Sequence, residues 1–419
     1  MKQQLRVLMV GRRFWPHGGW DSACALLNQA VELRRRGMHV EVLTPKYETI
    51  WPDRTSIREI TVHRGCLAAK REWSMGKYIR GMTAWVASHS ESFDLIYVDS
   101  CREELIAAIE GSDSSGAPVL ARCNSSGTQS DLAWWETSRH GKRCWSAAKR
   151  ARGIILQDAA SHRDLVIRGL KSTRFFRIPP GVHQAASVTP SEQWALRQQL
   201  AMANSDLATE PDTPVLLCHA TMSEASGLEH LVRVSRLLLL RFPNLRIWLL
   251  GDGPSRDAIY SNLRSEGVRA SVAMPGSFSD PQDVFKAANL YFQAGDEGFS
   301  YFLPLAVSLQ LPIVAVDQPS IRSAFAATCD DPSAVSDQKT EAGLSNLHGQ
   351  VQECERGVHW CDSDRPKSVK ETIVGVLTHL PDAVRDAEKL RDQLLRRRSN
   401  HQCLDAFISA VRCLTFDRV

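Results

Sequence analysis

Two adjacent acids, Asp296 and Glu297, follow a short apolar run, Asn289–Phe292, and precede a helix-length segment leading to a second apolar run, Ile313–Val316. Strand, acidic loop, helix and strand in this order form the unit in which open α/β sheets bind ligands, beyond the carboxyl ends of their strands. A carboxylate at the mouth of such a strand accepts hydrogen bonds from hydroxyl groups, which makes Glu297 the candidate catalytic residue. Gly298, Phe299 and Ser300 come next, at the start of the following helix, where unpaired backbone N–H groups favour anions. Near the N-terminus Gly18 and Gly19 interrupt the chain between Leu5–Val10 and a segment of helical spacing. Glycine lets backbone approach a ligand closely, so these two join the phosphate-binding candidates. Arg12, Arg13 and His17 on the same loop, and Arg122 past the fifth strand, are cations within reach of a phosphate. Asp296 reads as an ordinary loop acid.

The elements that must hold these groups are legible in the rest of the chain. At 419 residues it exceeds one ordinary core, and two domains of about 200 residues each are expected. Its 43% apolar and 23% charged residues are those of a soluble globular protein. The greasiest run, around Leu237–Leu240, is flanked by Arg236 and Arg241 and does not make a membrane span. The six-residue apolar run near the N-terminus is too short for a signal-peptide core and fits a buried first strand. Eleven cysteines without a C-x-x-C pair point to a reduced, cytoplasmic chain. Cys354, His359 and Cys361 lie close in sequence but lack a fourth zinc ligand, and no metal is expected.

Strands and helices alternate twice. In the first half, strands are expected at Leu5–Val10, Val40–Leu43, Ile60–His63, Leu95–Val98, Pro118–Ala121, Gly153–Gln157 and Phe175–Ile178. A helix from about Asp21 carries Leu26, Ala30 and Leu33 on one face, closes with Arg34, Arg35 and Arg36, and ends at Gly37. Residues 184–213 form a polar connection with one helix, Ser191–Ala201. A second series then begins with strand Val215–Cys218, helix Leu228–Phe242, strand Leu245–Leu250 and a GDGP turn, then strand Ala270–Met274. Residues 328–356 suit a surface insertion, and the tail from Ser368 is helical. The domains are therefore placed at 1–183 and 184–399, with a helix over 400–419 returning to the first. Two doubly wound domains make a cleft between them, the default ligand site.

The order of local patterns resembles the family-4 retaining glycosyltransferases, of the glycosyl transferases group 1 class, over nearly the whole chain. The matching pieces are Gly18-Gly19 with a helix ending in RRRG, then MHVEVLT, and the interdomain turn Ile178–Val182. They continue with the G-L-x-x-L start at Gly227–Leu231, FPNLRIWLLGDGP (Phe242–Pro254), PGSFSD, AANLYFQAGDEGF and LPIVAVD (Leu311–Asp317). The resemblance implies an α/β GT-B fold, two doubly wound Rossmann-like domains facing a central cleft. It implies transfer of a sugar, with retention, from a UDP- or GDP-linked donor, with no bound cofactor. Several family positions are altered. The Arg and Lys that clamp the diphosphate in the family align with Thr221 and Ser226. The Glu-x7-Glu pair, whose second acid the resemblance assigns to the ribose, aligns with Glu297 and Leu305. The Asn of the interdomain turn is Pro180, and a frequent loop His is replaced by the ARCNSSG stretch with Asn124 and Ser125. The alternative is a weakened or inactive relative serving as a binding or partner subunit. An epimerase of the same fold lacks a matching set of carboxylates and His here.

Charge is uneven: residues 1–180 hold 28 Lys and Arg against 18 Asp and Glu, and the remainder is acidic. Two stretches there mix cations with aromatics, Lys70–Trp85 and Trp134–Arg152, the latter with Trp134, Trp135 and Trp145. Basic amphipathic helices with tryptophan suit an anionic membrane surface, so a lipid-linked or otherwise anionic acceptor and peripheral contact at the inner face of a membrane fit the pattern. A solvated helix face with its tryptophans in the core fits it equally. Nucleic acid is not expected, since no recognised module accompanies the charge.

Overall fold

The computed structural model describes residues 4–17, 19–124, 130–170, 174–278, 280–329 and 357–416. The first sheet contains β1 (Arg6–Val10), β2 (His39–Lys46), β3 (Arg54–Ile57), β4 (Ile60–Leu67), β5 (Leu95–Val98), β6 (Val119–Cys123), β7 (Gly153–Leu156) and β8 (Arg174–Arg177). Its order is β3-β4-β2-β1-β5-β6-β7-β8. All pairs are parallel except β3 with β4. The second sheet contains β9 (Val215–His219), β10 (Arg246–Leu250), β11 (Val272–Gly276), β12 (Leu290–Gln293), β13 (Ile313–Val316) and β14 (Val358–Cys361). Its order is β11-β10-β9-β12-β13-β14, parallel throughout. Central strands such as β5, β7, β9, β12 and β13 are buried along their whole length, as continuous apolar runs in covered parallel sheets must be. This is the GT-B architecture.

Two strands are absent from the sequence reading. β3 pairs antiparallel with β4 through a two-residue turn at Arg58 and Glu59, whose φ values are 48° and 64°. Such a turn usually carries Asn-Gly, so nothing in Ile57-Arg58-Glu59-Ile60 announces it. β14 is four residues long and half-buried at its centre, too short for a periodic signal. The expected helix Ser191–Ala201 spans Pro190–Ala203, started by Thr189 and Glu192 in a reciprocal capping box. The insertion 328–356 lies outside the described residues from 330 onward.

Each strand order reverses beside its first strand, at β1 in one sheet and β9 in the other, and loops diverge there to leave a crevice. Asp21–Arg35, the first helix, packs Leu26, Ala30 and Leu33 on the first sheet. On the same face lies the helix Asn400–Phe416, with Phe407, Val411 and Leu414 against Tyr97, Leu120 and Ile155. The chain thus crosses between sheets twice, and the two crossings are bonded together. Val182 N–H donates to Arg398 O (2.9 Å) and Asn400 N–H to Val182 O (2.8 Å).

Candidate functional site

Glu297 sits at the mouth of β12. The Gln293 side chain braces its loop, the amide nitrogen donating to Gly295 O (2.7 Å) and Glu297 O (2.6 Å). The Glu297 carboxylate accepts the Thr221 N–H at 2.6 Å and lines a cavity of about 200 Å³ with Trp20, Asn124, Ser130 and His219. Burial pushes its carboxyl above the usual range, and the Thr221 N–H opposes that.

Asp21 opens the first helix of the first domain, yet its carboxylate is spent on the second. It accepts the backbone N–H groups of Ser300 (2.8 Å), Tyr301 (2.7 Å) and Phe302 (3.1 Å). These are the leading amides of the helix Phe302–Ser308, in which Pro304 occupies the first turn, where proline costs nothing. Burial raises the Asp21 carboxyl while the three amides lower it. Of the candidates Gly298, Phe299 and Ser300, only Ser300 offers its amide to this carboxylate. Phe299 is buried in the second-domain core, and Gly298 takes a φ of 79° that shapes the loop.

Gly19 is held between the domains; Gly18 lies outside the described residues. Gly19 O accepts from His219 Nε2 at 3.0 Å. A Cβ on Gly19 would lie 1.8 Å from Ser277 Oγ, so no larger residue fits without moving the loop. The ion pair Arg58–Asp280 (2.7 Å) spans the same gap. His219, which the sequence reading stopped one residue short of, stacks on Phe302 at 3.5 Å between centroids. Donation to a carbonyl puts its proton on Nε2, and burial pulls its pKa down to about 4. The folded state therefore keeps His219 neutral where an unfolded chain protonates it near 6.5, and stability falls as pH drops through that window. Wild type is expected to lose up to about 3 kcal/mol more than His219→Gln between pH 6.5 and 4, read from chemical denaturation at each pH. Equal losses in both proteins would refute this.

The cations proposed for phosphate are otherwise engaged. Arg12 pairs with Glu103 (2.5 Å) and Glu104 (2.8 Å), and Tyr78 O–H donates to Glu104 at 2.6 Å. Arg122 pairs with Asp99 at 2.8 Å, both buried, and Arg13 lies over the Trp20 ring. Buried carboxylates need such partners, which is why these arginines turn inward. His17 packs edge-on against Tyr47. Asp296 accepts the Ser320 hydroxyl. Ser226 is buried and its hydroxyl donates to Ser223 O (2.7 Å), while Leu305 lines a separate, larger cavity. Asn124 N–H donates to Asp131, and Ser125 lies outside the described residues.

One group of metal-type ligands stands out among the described residues. Atoms of Cys101, Cys123 and Asp131 lie within 4.8 Å of one another. Asp131 is committed, accepting from Cys101 N (2.8 Å), Asn124 N (3.0 Å) and Arg102 Nε (2.7 Å), so it serves to pin two loops of the cleft wall. Of Cys354, His359 and Cys361, which the sequence reading set aside as a zinc site, Cys354 lies outside the described residues. The tryptophans of Trp134–Arg152 belong to the core: Trp135 is buried and donates to Cys101 O (2.7 Å), and Trp134 and Trp145 pack on the same cluster. Trp73, from the other stretch, is 76% exposed. No helix of the described residues is long and apolar enough to cross a membrane.

Sequence models of two families match the chain, the glycosyl transferase 4-like domain over residues 23–181 and the glycosyl transferases group 1 over residues 213–342. A lipopolysaccharide core biosynthesis glycosyltransferase of Rhizobium meliloti, LpsE, is 27% identical over 92 residues, which are 22% of this chain and 26% of that protein. The match therefore spans about a quarter of that relative's length. Among solved structures, HepE of Anabaena in complex with UDP-glucose superposes with a TM-score of 0.70 at 16% identity, covering 98% of this chain and all of that one. Sucrose-phosphate synthase of Thermosynechococcus elongatus gives 0.67 at 15% identity, with 98% and 99% covered. At such identities these two structures establish the fold alone.

Proposed function

The chain belongs to the group 1 glycosyl transferases, and on that premise we propose that it moves a sugar from a uridine diphosphate-sugar to an acceptor hydroxyl with retention of configuration. One observation carries the reading. Glu297 and Ser300 line one end of the cleft, and the Ser300 amide converges with those of Tyr301 and Phe302 on a carboxylate that they already hold. An acid for sugar hydroxyls thus stands beside donors for an anion. The uridine assignment is supported by HepE, solved with UDP-glucose.

As the glycosidic bond breaks, the leaving diphosphate gains negative charge. Fixed amide donors in a closed cleft stabilise that charge without reorganising. They take over the work that Thr221 and Ser226 have no charge to do. The acceptor oxygen bonds to the anomeric carbon as the bond to the departing phosphate oxygen breaks, and the acceptor's proton leaves on that oxygen. Attack from the departing face retains the configuration. Gly19, pressed against Ser277, sets how closely the two domains approach around the donor.

The test is thermal unfolding of the full chain with UDP and GDP. At 100 times its dissociation constant UDP contributes about 2.7 kcal/mol, a rise in Tm of several degrees. No stabilisation by either nucleotide at millimolar concentration would overturn the proposal.

A further inference from the structure

Three arginines of the first domain hold buried acids: Arg12 has Glu103 and Glu104, Arg102 has Asp131, and Arg122 has Asp99. Among the described residues, Arg13 and Arg64 hold none. Arg13 lies over the Trp20 ring and shares a hydrogen bond with the Tyr47 hydroxyl, and a ring leaves its charge without a counter-ion. Glu104, whose field reaches it, is already taken by Arg12 and Tyr78. Arg64 is 4% exposed, yet among the described residues its guanidinium donates to a single carbonyl, Pro52 O (3.2 Å), and its covered Nε has no partner. A buried charge is costly without a partner, so these two cations leave a place for an anion from outside the chain.

The two arginines belong to one cluster. Arg64 lies over the Trp51 ring (4.8 Å), Trp51 meets the His17 ring (5.4 Å), and His17 meets the Tyr47 ring (4.3 Å), which leads to Arg13. The loop after β1 supplies Arg13, His17 and Trp20, the loop after β2 supplies Tyr47 and Trp51, and β4 supplies Arg64. His17 is held below its usual range by burial, then by Arg13 and Arg64, and its covered Nε2 has no partner. The opposing acid, Glu48, is exposed. Trp20, at the other end, lines the cavity of Glu297. We propose that this cluster is an anion subsite for the acceptor, and that the acceptor is a phosphorylated sugar. The proposal rests on the transferase reading above. The amides of Ser300 to Phe302 serve the donor diphosphate there, which leaves the first-domain side of Trp20 to the acceptor. Rings offer a flat apolar surface to a sugar, and guanidinium groups bind phosphate oxygens in pairs. A phosphate ester carries nearly two charges near pH 7 and so balances both arginines, where a carboxylate balances one.

Calorimetric titration of the UDP-loaded full chain with inorganic phosphate, and with acetate at the same ionic strength, tests this. The proteins are wild type, Arg13→Gln, Arg64→Gln and Arg236→Gln, the last an exposed arginine of the second domain. Wild type should bind phosphate at millimolar concentration and acetate about tenfold more weakly, one charge-assisted hydrogen bond fewer. Arg13→Gln and Arg64→Gln should each weaken phosphate by about tenfold and leave UDP affinity as in wild type, while Arg236→Gln changes neither. Arg13 is only partly buried, so its variant carries the test if Arg64→Gln folds poorly. No phosphate binding to the UDP-loaded wild type, or equal binding by both variants, overturns the proposal and leaves the transferase reading standing. Weaker UDP binding in either variant overturns it too, by placing these cations on the donor. Acetate bound as tightly as phosphate overturns the phosphate assignment in favour of an acidic sugar. Absence of UDP binding to wild type overturns the transferase reading, and phosphate titration of the free chain then reports on the anion subsite alone.

Discussion

Glu297→Ala should lower the rate of sugar transfer by about 100- to 1,000-fold, the range seen when one fixed polar group at a reacting centre is removed. The side chain stands at the strand mouth with its loop braced by Gln293. Its loss also strips the Thr221 N–H of its acceptor, a structural cost of about 1–3 kcal/mol. Rate and stability must therefore be measured together. Glu297→Gln separates them, since the amide oxygen can still accept from Thr221 while the charge is gone. A Gln variant of wild-type Tm but depressed rate supports a role toward the donor sugar; wild-type rates in both variants refute it.

Asp21→Ala is the second large effect, and its sign is the informative part. In the free protein the Asp21 carboxylate accepts three amides that an incoming diphosphate would need. Removing an internal competitor should tighten UDP binding by about tenfold, or 1.4 kcal/mol, although the free protein loses interdomain bonds and melts earlier. Weaker UDP binding by Asp21→Ala would mean that this carboxylate helps the donor instead of standing in its place. Asp21→Asn should fall between, because a neutral amide oxygen is a poorer partner for three N–H groups than a carboxylate.

The sequence reading succeeded where local pattern decides structure. Fully apolar runs located β1, β5, β7, β9, β12 and β13, and the Arg-rich, glycine-ended turn located the close of the first helix. It fixed the place of Glu297 because a strand end and a helix start bracket that residue. It failed where a contact joins distant parts of the chain. Asp21 looks like an ordinary acid in the first turn of a helix, and its bonding to amides 279 residues away has no local signature. Arg12 likewise looks like a loop cation, but acids more than ninety residues on claim it. His219 hides at the end of an apolar strand.

The double crossing at Val182 and Ser399–Asn400 carries a consequence for how the molecule is made. A ribosome releases the first sheet early, yet Phe407, Val411 and Leu414, which cover one of its faces, are translated only after the whole second domain. Until then Tyr97, Leu120 and Ile155 lack part of their cover, and the nascent first domain is a sticky intermediate. The two domains are separate in architecture but finish as one: a helix that follows the second domain in the chain seals the sheet of the first.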